Sequence, residues 1–280
     1  MKDIMEMTAT EINGELQKFQ EGWYENLDKC YKKVDGFSSP FCFGVSEQTI
    51  KERNNDDKPL LMYVGEEARN WWFDEYPKDY QKIQSWAIAY FETQIYPNLT
   101  DDMRANISAL NDDDKKSAKK RNGSAFWDLL NELHKTNQYA VCWNNLDKLH
   151  KVVWNEQKNQ DDKKRGTKTL GYEQEKELHQ YGTPNRSLLW KEINFMRPEY
   201  IIFMGAKYDR SIEWALLKER ALDGEKRPNI KNDNLVVNLT DNYNIFGLDY
   251  QPKVFWICHP SWLRRNGKLE EAFNKLKEIL

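Results

Sequence analysis

The chain has 280 residues, 39% of them apolar, with 11 Trp, 14 Tyr and 12 Phe, enough to bury a sizeable core in one large domain. A formal net charge of −3 argues against a protein that holds polyanions over its whole surface, so any nucleic-acid face must be a local patch. The N-terminal MKDIMEMTATEING has no apolar signal region, and no apolar run reaches the roughly 18 residues of a membrane span, so a cytoplasmic monomer is expected.

In chain order, residues 1–57 read as a helical and irregular extension, with a helix over 15–34 followed by the Gly, Ser and Pro stretch DGFSSPFCFG. Residues 58–280 read as an alternating core. PLLMYVG (59–65) is the first strand, and the helix over 81–96 spaces Ile83, Trp86, Ala87, Tyr90, Phe91 and Ile95 at helical intervals. Ser124 is a candidate N-cap for AFWDLLNELHK, which leads to the strand YAVCWNN (139–145). LLWKEINFM (188–196) is a helix stopped by Arg197-Pro198, and EYIIFMG (199–205) is the third strand. A helix over 209–222, a weaker edge strand NLVVNLT (234–240), the strand KVFWICHP (253–260) and a closing helix LEEAFNKLKEIL complete the pattern. Continuous rather than alternating apolar runs suit strands covered on both faces. The expected fold is therefore α/β, a three-layer α/β/α sandwich around a central, mostly parallel four- to five-stranded sheet, with a ligand crevice beyond the carboxyl ends of the strands.

Charged stretches at 54–58, 111–123 and 159–166 read as solvated insertions. Among them, Lys115, Lys116, Lys119, Lys120 and Arg121, and later Lys163, Lys164 and Arg165, are candidates for a basic rim. Cys30, Cys42, Cys142 and Cys258 have no C-x-x-C spacing, and buried free thiols are expected rather than a metal or cluster site. No cofactor is expected.

In this architecture the strand tails GEEARNWW (65–72), NNLDK (144–148), GAKYD (205–209) and HPSWLRR (259–265) share one cleft. These segments resemble the uracil-DNA glycosylase superfamily: a glycine-led motif at Gly65-Glu66-Glu67, an asparagine after a middle strand at Asn145 or Asn144, and His259-Pro260-Ser261 after the last strand, in that order. The segment KEINFMRPEYIIFMGAKY (191–208) is similar to a helix, Arg/Lys-Pro and strand seen in many members. The resemblance covers roughly residues 58–280 and implies a glycosylase-like fold. It also implies a DNA partner and monofunctional hydrolysis of the bond between an extruded base and its sugar.

It assigns roles residue by residue. Glu67 would orient and activate water at an oxocarbenium-like sugar, although Glu66 and Glu67 could equally cap a following helix. His259 would donate to the base oxygen as charge develops there. Asn145, with Lys148 in the fourth place of an N-x-x-K tail, would read the base edge, the bland alternative being a turn asparagine. Phe126 would stack on the base, against a core role for it or Trp127. Leu263 takes the place of a residue wedged into the duplex, with Ser261, Arg264 and Arg265 near the phosphates, the alternative being that Trp262 and Leu263 simply pack.

The sequence also departs from that pattern. Where uracil-specific members carry a proline and a tyrosine after the acid, it has Ala68 and Arg69, followed by Asn70, Trp71 and Trp72. The expected substrate is accordingly a damaged or modified base, such as a bulky or 5-substituted pyrimidine, rather than plain uracil. Two other classes are kept: a catalytically inactive nucleic-acid-binding module of the same fold, and an unrelated nucleoside-processing hydrolase.

Overall fold

A computed structural model describes residues 3–30, 41–67, 80–96, 124–148, 151–154, 165–168, 188–205, 235–240, 248 and 250–280; at 26–30, 66, 67, 147, 151–154 and 165–168 it describes the backbone. After a 3-10 turn (Ile4–Glu6), helix α1 (Ala9–Cys30) begins six residues before the expected start. The reason is a capping box. Thr8 Oγ1 accepts from the Glu11 N–H at 3.2 Å, and Glu11 Oε2 accepts from the Thr8 N–H at 2.8 Å. Helix α2 (Glu47–Asn54) starts behind Ser46, whose hydroxyl accepts from the Thr49 N–H. Strand β1 (Leu60–Glu67), α3 (Tyr80–Ile95), α4 (Ala125–Lys135) and β2 (Ala140–Asp147) follow.

Strands β3 (Lys151–Trp154) and β4 (Arg165–Lys168) form a separate antiparallel pair, placing Arg165 on a strand where a solvated insertion was expected. Then come α5 (Leu188–Met196), β5 (Tyr200–Met204), β6 (Val236–Asn238), β7 (Lys253–Ile257), α6 (Pro260–Arg265) and α7 (Leu269–Ile279). Among the positions singled out above, 68–72, 115–121, 163–164 and the expected helix over 209–222 lie outside the described residues.

The fold is α/β, with a mixed five-stranded sheet in the order β2-β1-β5-β7-β6. Its first four strands are parallel, and β6 pairs antiparallel with β7 at the edge. Side chains alternate across a strand, and helices receive them on both faces. Tyr63 donates its hydroxyl to the Phe126 carbonyl of α4, and Trp143 packs on Trp127 of α4 with ring centroids 5.0 Å apart. The neighbouring Asn144 turns the other way, to Glu192 of α5. This arrangement is compatible with three layers. Leu60 to Val64 are all buried, as a strand covered on both faces requires.

Residues before 58 are part of this core rather than appended to it. Ile12, Leu16, Phe41 and Phe43 are buried in the same apolar cluster as Leu61, Ile202 and Phe255. A parallel sheet aligns the carboxyl ends of β1, β2, β5 and β7 along one edge. Because β1 lies between β2 and β5, the chain steps from β1 outward to β2 and then returns past β1 to β5, a reversal of strand order of the kind at which ligands bind in open α/β sheets. Gly205 ends β5 there with φ of +148°, a conformation that favours glycine.

One buried carboxyl makes the fold pH-sensitive. Glu92 of α3 is buried, its Oε2 has no hydrogen-bond partner among the described residues, and burial, with Glu47 adding repulsion, pushes its pKa up to about 7. An acid whose folded pKa exceeds its unfolded value gives stability that is complete below the unfolded value of 4.5 and is lost as pH rises through about 7. Glu92→Gln mimics the protonated form. It is expected to raise stability by about 1–3 kcal/mol at pH 8 and by almost nothing at pH 5, read from thermal melts at the two pH values.

Candidate active site

Asn144 and Asn145 do not form a turn; both lie within β2, paired in register with Val64 and Gly65 of β1. Strand alternation sends their amides to opposite faces and gives them different work. The Asn144 Oδ1 accepts from Lys148 Nζ and from the Asn145 N–H, while its Nδ2 donates to Glu192 Oε2 at 3.0 Å. Lys148 and Glu192 are themselves a buried ion pair at 2.6 Å, and Gln20 of α1 donates to the second carboxylate oxygen of Glu192 at 3.1 Å. Lys148 therefore serves Asn144, not Asn145. Burial lowers the Lys148 pKa, and the Glu192 charge opposes that shift. This network is a support beneath the strand ends.

Asn145 is the amide that remains available. Its Oδ1 accepts from the indole Nε1 of Trp143 at 3.1 Å, which fixes the amide's orientation. Its Nδ2 is buried and makes no hydrogen bond among the described residues. A buried donor without a partner is costly to a fold and signals either strain or a ligand position. Across the pair, Gly65 has no side chain to fill the space: a Cβ there would stand 2.6 Å from Asn145 Oδ1 and 3.0 Å from Phe126 Cε2. Gly65, Asn145 and the half-buried ring of Phe126 therefore meet at one spot. Phe126 is held there by Tyr63, with ring centroids 4.9 Å apart. Gly65→Ala is expected to cost about 1–3 kcal/mol through overpacking, checked by a thermal melt, because the new methyl must displace an amide already tied to Trp143.

Glu67 stands two residues beyond Gly65, its backbone paired with Asp147 at the same edge; its side chain lies outside the described residues. His259 follows β7 and caps α6, its Nδ1 accepting from the Ser261 N–H at 3.2 Å. A neutral imidazole whose Nδ1 accepts carries its proton on Nε2, so the far side of the ring is a donor.

Helix α6 is set against α4 by an ion pair between Arg264 and Asp128, so the histidine segment and the helix bearing Phe126 are neighbours. In register, Gly65 follows Val64, which pairs with Phe203, and Met204 pairs with Ile257. Three strand spacings, roughly 14 Å, thus separate Asn145 from the end of β7.

The wedge expected at Leu263 is not there. Leu263 is fully buried in the core, because Pro260 and Leu263, three residues apart on α6, face inward together. An apolar side chain in that position cannot enter a duplex without unpacking the core. Arg264 and Arg265 are exposed on the outer side; Arg264 is engaged by Asp128, and Arg265 Nε donates to the Ser261 carbonyl at 3.3 Å. Ser261 is half-buried, its N–H given to His259.

Cys42 and Cys142 are buried thiols whose pKa values burial pushes up, and Cys258 is half-buried. Among the described residues, no three His, Cys, Asp or Glu side chains are grouped to hold a metal ion, and no helix is long and apolar enough to cross a membrane.

Sequence reasoning missed Glu192, Gln20 and Trp143. Glu192 carried a readable signal, for it occupies the apolar stripe Leu189, Ile193, Met196 of α5, where an acid is out of place unless paired. Compared with known proteins, the chain matches no family model and no curated sequence.

Proposed function

We propose that the protein is a monofunctional DNA glycosylase of a uracil-DNA glycosylase-like fold, hydrolysing the bond between an extruded, modified base and its sugar. The observation that carries this reading is the Asn145 amide beside Gly65 and the Phe126 ring: Trp143 holds its Oδ1, and its buried Nδ2 has no partner among the described residues. An amide held beside a glycine and an aromatic ring, its oxygen tied to Trp143 and its N–H groups left over, suits the edge of a flipped base.

In the proposed reaction Phe126 stacks on the base and Asn145 donates to an acceptor on its edge. The Nε2–H of His259 stabilises the negative charge that the base gains as the glycosidic bond breaks. Water, positioned by Glu67, adds its oxygen to the sugar carbon and gives its proton to the Glu67 carboxylate, and the base leaves as an anion with the electrons of the broken carbon–nitrogen bond. Exposed Arg265 and the α6 backbone would meet the strand's phosphates. The absence of the proline and tyrosine after the acid favours a bulky or 5-substituted pyrimidine over plain uracil.

Incubation with oligonucleotides bearing uracil, hypoxanthine and 5-substituted pyrimidines, followed by mass spectrometry of free base, tests the reading. Release of a modified base supports it. Saturable DNA binding with no base released from any substrate would instead favour an inactive binding module of the same fold.

A further inference from the structure

The opposite edge of the sheet carries a concavity. A cavity of about 1010 Å³ opens where β5 and β7 begin, against the end of α5 and the first residues of the chain. Its size is that of a ligand site. Basic side chains predominate: Arg53, Lys191, Arg197 and Lys253 line it against Asp3 and Glu199. Arg53 is already committed, donating to the Met196 and Arg197 carbonyls and lying 3.7 Å from Glu199. Four cations against two carboxylates give the lining an excess of two positive charges.

Aromatic rings stand beside these cations. Arg197 lies 5.1 Å from the centroid of Tyr250, and Lys253 lies 5.1 Å from that of Tyr200; Trp190 and Phe195 also line the cavity. Planar walls combined with cations are the surface that stacks a base and holds its phosphate.

Arg197 adds an independent observation. It follows α5 with φ of +49°, where a helix end favours glycine, and it precedes Pro198, which restricts it further. A residue held in a strained conformation, with its side chain in a cavity, points to use of that side chain. Burial also lowers the pKa of Lys191, a shift that a bound anion would offset.

We propose that this cavity is a nucleotide-binding site, in which Trp190, Tyr200 and Tyr250 offer stacking surfaces to the base and Lys191, Arg197 and Lys253 hold the phosphate. The site is separate from the residues at the carboxyl edge and does not depend on the reading given to them. The nucleotide could be free or a unit of a single strand.

Titration calorimetry of the full chain with AMP, adenosine, inorganic phosphate and a single-stranded hexadeoxyadenylate tests the proposal, with Arg197→Gly and Lys191→Ala as variants. AMP or the hexanucleotide is expected to bind at least tenfold more tightly than adenosine or phosphate, and at least tenfold more weakly to each variant. Arg197→Gly should keep or raise the melting temperature, since glycine accepts the positive φ, so lost binding could not be ascribed to misfolding. Tighter binding of the hexanucleotide than of AMP would assign the site to a strand, and the reverse to a free nucleotide. Absence of saturable binding by both, or equal binding by Arg197→Gly and the parent chain, would overturn the proposal.

Discussion

Glu192→Ala is expected to lower the free energy of unfolding by about 3–5 kcal/mol, a large share of the roughly 5–15 kcal/mol that holds a typical domain together. The side chain is fully buried and receives hydrogen bonds from Lys148, Asn144 and Gln20, which come from two other parts of the chain. Truncation leaves the Lys148 ammonium buried without its counter-charge. The loss should read as a shift of the urea-unfolding midpoint.

The pH dependence of that loss has a definite sign. With Glu192 gone, nothing on that carboxylate opposes the burial that already depresses Lys148 below its ordinary value of 10.5. A base with a lower pKa folded than unfolded binds fewer protons in the folded state, so the variant's stability rises with pH over that interval. The deficit of Glu192→Ala should therefore shrink between pH 7 and pH 9. The double variant Lys148→Met, Glu192→Leu should recover much of the loss, because removing both charges removes the desolvation penalty. A deficit below 1 kcal/mol in Glu192→Ala would show that the network contributes little.

His259→Asn is expected to reduce base release 10²–10³-fold, equivalent to about 2.7–4 kcal/mol of transition-state stabilisation. The choice of asparagine separates two roles of this residue. Its Nδ1 caps α6 by accepting from the Ser261 N–H, and a cap is worth about 0.5–2 kcal/mol of stability. Asparagine is a good N-cap but has no imidazole Nε2–H, so it should preserve the melting temperature while removing the donor. His259→Ala removes both and should lower activity and stability together. If His259→Asn releases base at the parent rate, the histidine only closes a turn, and the proposed mechanism loses its donor.

Much of the fold was written in local pattern. Leu60–Val64, Ala140–Trp143, Tyr200–Met204 and Lys253–Ile257 appear as strands where continuous apolar runs required burial on both sides. Helix α5 ends where Arg197-Pro198 stops it, and the weak run at 234–240 contains the antiparallel edge strand Val236–Asn238. The true start of α1 was also legible, in the Thr8 and Glu11 capping pair, but the apolar spacing farther along the helix is the louder signal. Strands β3 and β4 were not legible, because KVVW is only four residues long and RGTK is too polar to separate from the charged segment before it.

The candidate site divides in the same way. The sequence alone determined which segments end at one edge of the sheet, since the order of apolar runs and helices fixes where parallel strands finish. It also supplied the residue types, an acid, an amide, an imidazole and a phenyl ring, that an N-glycosidic site uses.

Only the tertiary structure decided which of two adjacent asparagines is spent and which is available. That depends on Glu192, 48 positions from Asn144 along the chain, and on the alternation of one strand between two helical layers. Burial of Leu263 was likewise decided in space: a leucine beside two arginines looks exposed in one dimension, but helical geometry puts it and Pro260 on one side and the arginines on the other. Local pattern reports which face a residue can occupy, and only contacts between distant segments determine what waits on that face.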